Sequence, residues 1–97
     1  MKYILNMILL LAAGSASAAD YPFVGKWNCE VATFTFTNRT YHNGTETLRF
    51  NRIDFEGDNY RLTFRRGYVI SLSSPNARTM QWQSSASGDT FDCKRLP

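Results

Sequence analysis

The sequence predicts an all-β fold, a small antiparallel β-barrel of about seven or eight strands in meander order. Three observations carry that reading. Short runs with apolar residues at every second position recur from Lys26 to Arg95, and none shows a helical period. Clusters of Gly, Asn, Asp, Ser and Pro separate the runs at short intervals. Two cysteines, Cys29 and Cys93, lie in the first and last runs, so a bond between them would tie the ends of the meander together.

Met1 to Ala19 precede this pattern. Lys2 is followed by an apolar stretch from Ile4 to Ala13 interrupted by Asn6, then by Ser15-Ala16-Ser17-Ala18-Ala19. This is the layout of a secretory signal peptide, with an apolar part too short to span a bilayer. The short leader with its single Lys looks bacterial, so a periplasmic protein without a membrane anchor is expected. Cleavage after Ala19 leaves one domain, residues 20–97, of 97 − 19 = 78 residues. A chain of that size buries only about 60% of its unfolded surface. A covalent staple therefore matters, and in an oxidising compartment two lone cysteines pair by default. The Cys29–Cys93 loop, 93 − 29 = 64 positions, is worth about 4 kcal/mol in the chain-entropy account.

Tyr21-Pro22-Phe23 reads as a lead-in, because Pro has no ladder donor. Trp27, Cys29 and Val31 then alternate inward, followed by Phe34 and Phe36 on the opposite parity, which requires a bulge or break near Ala32. Asn38 to Thr45 reads as a polar loop around the turn signal Asn43-Gly44. From Thr47 to Phe55 the inward set is Leu48, Phe50, Ile53 and Phe55, with a second parity switch at Asn51-Arg52. A turn at Glu56-Gly57-Asp58-Asn59 places Phe55 opposite Tyr60, Ile53 opposite Leu62, and Asp54 opposite Arg61 as a surface ion pair. A three-residue loop, Arg65-Arg66-Gly67 with Gly67 at positive φ, keeps Leu62 opposite Ile70 and Phe64 opposite Tyr68. Ser73 to Asn76 turns the chain again, Met80 and Trp82 point inward, and Ser85 to Asp89 leads into a last strand with Phe91 and Cys93 inward.

Catalysis fits this chain poorly. The single His42 falls in the polar loop, and two bonded cysteines supply neither a nucleophile nor a zinc set. Asp54, Glu56 and Asp58 lack the ligand loop of a calcium site, so no metal and no cofactor is expected. Asn38-Arg39-Thr40 and Asn43-Gly44-Thr45 have the form of glycosylation sequons but read as turn chemistry in an exported bacterial protein. Without Lys2 the chain has ten Lys and Arg against eight Asp and Glu, a net charge of +2 and no signature of nucleic-acid binding. Eight of the ten are Arg, whose planar fork suits carboxylates on a partner. The surfaces to weigh are the Arg65-Arg66-Gly67 tip and the Ser85–Asp89 loop leading into Lys94 and Arg95.

Ser85-Ala86-Ser87-Gly88, with Phe91 three residues on, resembles the Ser-Ala-Ser-Gly-x-x-Tyr motif of the MliC/PliC family of bacterial C-type lysozyme inhibitors. The resemblance implies a small exported barrel with a disulfide, and a protein partner, C-type lysozyme, blocked at its catalytic cleft. It assigns Ser87 as the motif serine, within Ser85, Ser87 and Gly88. A nearby cation completes the family's site. Lys94 is the only downstream lysine, on a different spacing from the family's Trp-x-Lys-Gly segment, and Arg65 or Arg66 is the alternative source.

Gly25-Lys26-Trp27 resembles the Gly-x-Trp opening of lipocalin-like barrels and of periplasmic metalloprotease inhibitors, which implies an inhibitory segment at Asp20 to Val24. Whatever the function, Trp27 is expected to plug one end of the barrel. A third reading is an envelope protein binding an acidic partner through Arg49, Arg61 and Arg65, which share outward parity. Whether the protein forms a homodimer is left open by the sequence.

Overall fold

A computed structural model describes residues 19–97 of the chain. The leader expected at Met1 to Ala19 therefore falls, but for its last residue, outside the described residues. The fold is all-β: one antiparallel sheet of nine strands, curled into a half-barrel. The strands are β1 (Gly25–Asn28), β2 (Thr33–Phe36), β3 (Thr40–His42), β4 (Thr47–Arg49), β5 (Arg52–Glu56), β6 (Asn59–Thr63), β7 (Val69–Ser73), β8 (Thr79–Ser84) and β9 (Thr90–Arg95). Their order in the sheet is β4-β3-β2-β1-β9-β8-β7-β6-β5. First and last strands are neighbours, and the Cys29–Cys93 bond joins them at a Cα separation of 4.1 Å.

Nine strands arise where about seven or eight were expected because the loop expected at Asn38 to Thr45 contains a strand and the segment expected from Thr47 to Phe55 divides. The stretch Asn38 to Thr45 contains β3, whose Tyr41 is buried against Phe36 and Phe34. Side chains turn the backbone on either side of it. Thr37 Oγ1 accepts the Arg39 and Thr40 amides, and Asn43 Oδ1 accepts those of Thr45 and Glu46. His42 is thus a strand residue, with Nδ1 2.8 Å from Thr47 Oγ1 across the ladder. The stretch from Thr47 divides at Phe50-Asn51. There the Phe50 amide donates to Arg39, continuing the β3–β4 pairing, and the next amide, Asn51, donates to Thr63, continuing β5–β6. Consecutive amides pointing to opposite neighbours explain the parity switch. They also make the two edge strands consecutive in the chain.

The other parity switch is a reverse turn. Glu30 takes φ 70°, Val31 donates to Cys29, and β2 runs back along β1 with Trp27 opposite Phe34. Val31 is consequently 65% exposed at the turn tip rather than inward. Phe55 is also not inward. It is 69% exposed on the edge strand beside the Gly57-Asp58 turn, with the Tyr60 ring 5.8 Å away. Its expected partner in the ladder is correct, as are Ile53 with Leu62 and Leu62 with Ile70. Asp54 does lie opposite Arg61, yet its ion pair is with Arg52, two residues along the same face, at 3.0 Å. Both groups are largely solvated, so the pair contributes under about 1 kcal/mol.

The concave face holds a mostly aromatic core, including Phe23, Trp27, Phe34, Phe36, Tyr41, Phe64 and Trp82. Burying a side chain of this class is worth about 1.5–3 kcal/mol. The lead-in contributes to it. Phe23 is fully buried, its carbonyl accepts the Trp27 indole N–H at 2.9 Å, and both close one end of the curl.

Candidate functional site

Sheet order and hairpin directions collect four turns at the opposite end: Glu30-Val31, Asn43–Glu46, Arg65–Gly67 and Ser85–Asp89. The Ser85–Asp89 loop is built around Ser84, which continues the inward parity of Met80 and Trp82 and is buried. Its hydroxyl donates to the Tyr68 phenol oxygen at 3.2 Å and accepts the Ala86 and Ser87 amides at 3.2 and 3.4 Å. Its carbonyl accepts the Gly88 amide at 2.9 Å, and Gly88 at φ 76° lets the chain return into β9. A polar side chain at an inward position was the signal for this hub in the sequence.

Ser85 ties the loop sideways. Its amide donates to the Val69 carbonyl and its hydroxyl accepts the Val69 amide, each at 2.9 Å. Val69 begins β7 one residue beyond the arginine tip, so the serine loop and Arg65-Arg66-Gly67 stand side by side. Arg66 at φ 63° and Gly67 at φ 78° form the tip, and both arginines are exposed. Ser87 is exposed as well. Its oxygen accepts the Asp89 amide at 3.2 Å, leaving the hydroxyl proton for an outside acceptor.

Lys94 is not brought to this loop. In the β8–β9 ladder Gln83 faces Thr90 next to the loop, whereas Lys94 faces Thr79 four steps away, about 13 Å along the strand. Strand length separates the two residues that lie seven positions apart in the chain. The basic stripe is also divided, because Arg49 and Arg65 line one groove beside β4 that Arg61 does not reach.

An open cleft of about 600 Å³ adjoins Ser87, with Phe34, Tyr41, Tyr68, Trp82 and Phe91 among its walls. Trp82 and Phe91 stack at 5.2 Å. Burial pushes the Tyr41 phenol well above its usual range, and the neighbouring Tyr68 adds to the shift. The phenol therefore stays neutral. The sequence places Phe34, Trp82 and Phe91 at inward positions and Tyr41 in a polar loop.

Among the described residues no group of three His, Cys, Asp or Glu side chains is placed to hold a metal, and no helix is long and apolar enough to cross a membrane. Asn38 and Asn43 use their amides in local structure: Asn38 Oδ1 accepts the Tyr21 amide and its Nδ2 donates to Asp20. Compared with protein-family models, with curated proteins and with solved structures, the chain finds no match in any of the three.

Proposed function

We propose that the protein is an exported, non-enzymatic inhibitor of C-type lysozyme that seats its Ser85–Asp89 loop in the enzyme's cleft, with the cation supplied by Arg65 or Arg66. The observation that carries this reading is the double hydrogen bond between Ser85 and Val69, which fastens the motif loop beside the arginine tip. A lysozyme cleft presents two carboxylates flanking the scissile bond. Ser87 offers a hydroxyl proton to one of them, and a guanidinium beside it offers a fork to the other. The loop is held by its own hydrogen bonds before binding, so little conformational entropy is lost on docking.

Lys94 is replaced as the source of charge, because it sits at the far end of the β8–β9 hairpin. The metalloprotease-inhibitor reading requires a free segment at Asp20 to Val24. Here Phe23 is buried, and Arg95 holds the Pro22 and Val24 carbonyls, each at 2.7 Å. The loop end is the better placed surface.

The test is lysis of a peptidoglycan suspension by a C-type lysozyme with the mature oxidised protein titrated in. Stoichiometric loss of lysis is expected. Ser87→Ala should weaken inhibition about tenfold, the equivalent of about 1.4 kcal/mol, and the double variant Arg65→Ala/Arg66→Ala should weaken it more, as for an interface hot spot. Lys94→Ala should leave it unchanged. Full lysis at large molar excess of the protein overturns the proposal and leaves a non-inhibitory envelope binder.

A further inference from the structure

The curled sheet has two edges, and the β4 edge opens onto a groove. β4 pairs with β3 on one side, and among the described residues no strand pairs with it on the other. Facing that side, across a space of about 550 Å³, stand Phe64, Arg65 and Tyr68 from the β6–β7 tip. An unpaired strand edge presents backbone N–H and C=O groups that a further strand can use.

The groove has a chemical character as well as a shape. Leu48, Phe64 and Tyr68 provide apolar wall, while Arg49 and Arg65 stand exposed beside them. No carboxylate lines the groove, and among the described residues the one ion pair, Arg52 with Asp54, lies outside it. The pleat orders these features along β4: Leu48 turns inward between the outward Thr47 and Arg49.

We infer that the β4 edge is a docking site for an extended acidic peptide segment of a partner protein, added as a strand with an apolar side chain beside Leu48 and carboxylates on the flanking positions toward Arg49 and Arg65. Backbone pairing supplies affinity, and the alternation of acid and apolar residues supplies selectivity. Polar or basic strands leave the two guanidiniums unmatched and the apolar wall wet. The groove shares Arg65 with the surface proposed for lysozyme inhibition, whereas Arg49 belongs to the groove alone and separates the two sites experimentally.

The probe is the blocked peptide acetyl-Thr-Glu-Val-Glu-Thr-amide, titrated into the mature oxidised protein labelled with nitrogen-15. Saturable amide shifts confined to Thr47–Arg49 and Phe64–Tyr68 are expected. Replacing both Glu of the peptide by Gln, or Arg49→Ala in the protein, should weaken binding about tenfold, within the span measured for charge pairs at interfaces. Of two peptides N-methylated at alternate amides, the one blocked on the pairing side should not bind. Arg49→Ala should leave lysozyme inhibition, or its absence, as in the parent protein. Three results overturn the inference: no saturable shifts at millimolar peptide, equal binding of the Gln and N-methylated peptides, or the same residues shifting on dilution without peptide, which would make the occupant a second copy of this chain.

Discussion

The guanidinium of Arg95 lies over the indole of Trp27 with its carbon 4.2 Å from the ring centroid. From that position its nitrogens donate to the carbonyls of Val24, Pro22 and Asn76 at 2.7, 2.7 and 3.0 Å. One side chain on the last strand thus fastens the lead-in, the first strand and the β7–β8 turn. Replacing Arg95 by Ala removes a cation–π contact and three charge-assisted hydrogen bonds. Urea unfolding should show a loss of about 2–4 kcal/mol, less than the sum of the parts because the contacts share one group. Arg95→Lys should recover only part of it, since an ammonium cannot reproduce the fork.

The Cys29–Cys93 bond closes a loop of 64 positions between adjacent strands. The double variant Cys29→Ala/Cys93→Ala should lose about 4 kcal/mol by the chain-entropy account. For a domain this small that is a large share of total stability. Thermal unfolding by circular dichroism, with and without reductant on the parent protein, checks the figure from both directions.

Ser84→Ala deletes the acceptor for two loop amides and the donor to Tyr68. Stability should fall by about 1–3 kcal/mol, and the Ala86 and Ser87 amides should exchange with deuterium faster than in the parent. If lysozyme inhibition is the function, it should weaken with Ser87 itself intact. Tyr68→Phe removes one of the three bonds and should have a smaller effect on exchange.

Tyr41 gives the protein a dependence on alkaline pH. Its folded pKa is raised by burial above the ordinary value of 10.0, so above that pH the unfolded chain loses a proton that the folded chain keeps. The unfolded state then binds fewer protons, and stability falls as pH rises. The contribution is intact below about pH 10 and declines above it by up to about 1.4 kcal/mol per pH unit. Denaturant titrations across this range should show the decline, and Tyr41→Phe should flatten it.

The alternation of inward and outward residues is written locally, two positions at a time, so the ladder from Ile53 to Ile70 is legible in the sequence. Loop length transmits register from one strand to the next, and the Gly67 loop does so correctly. The cysteine pair is likewise legible, since the chain has two cysteines and they fall in the first and last runs. Tyr41 escapes that reading because β3 has three residues, too few for a period to declare itself among turn-forming Asn and Gly.

Tertiary structure alone decided which residues meet at the ends. Ser87 and Lys94 are close in sequence but parted by the rise of β9, while Ser85 and Val69 are distant in sequence and hydrogen-bonded. Val31 and Phe55 carry inward parity but lie at a turn tip and on an edge strand, where nothing stands opposite to cover them. Parity states which face of the pleat a side chain takes. Whether that face meets another wall depends on how the sheet curls and where its edges stop. Those are long-range properties, set by the bend at Phe50-Asn51 and by the pairing of β1 with β9.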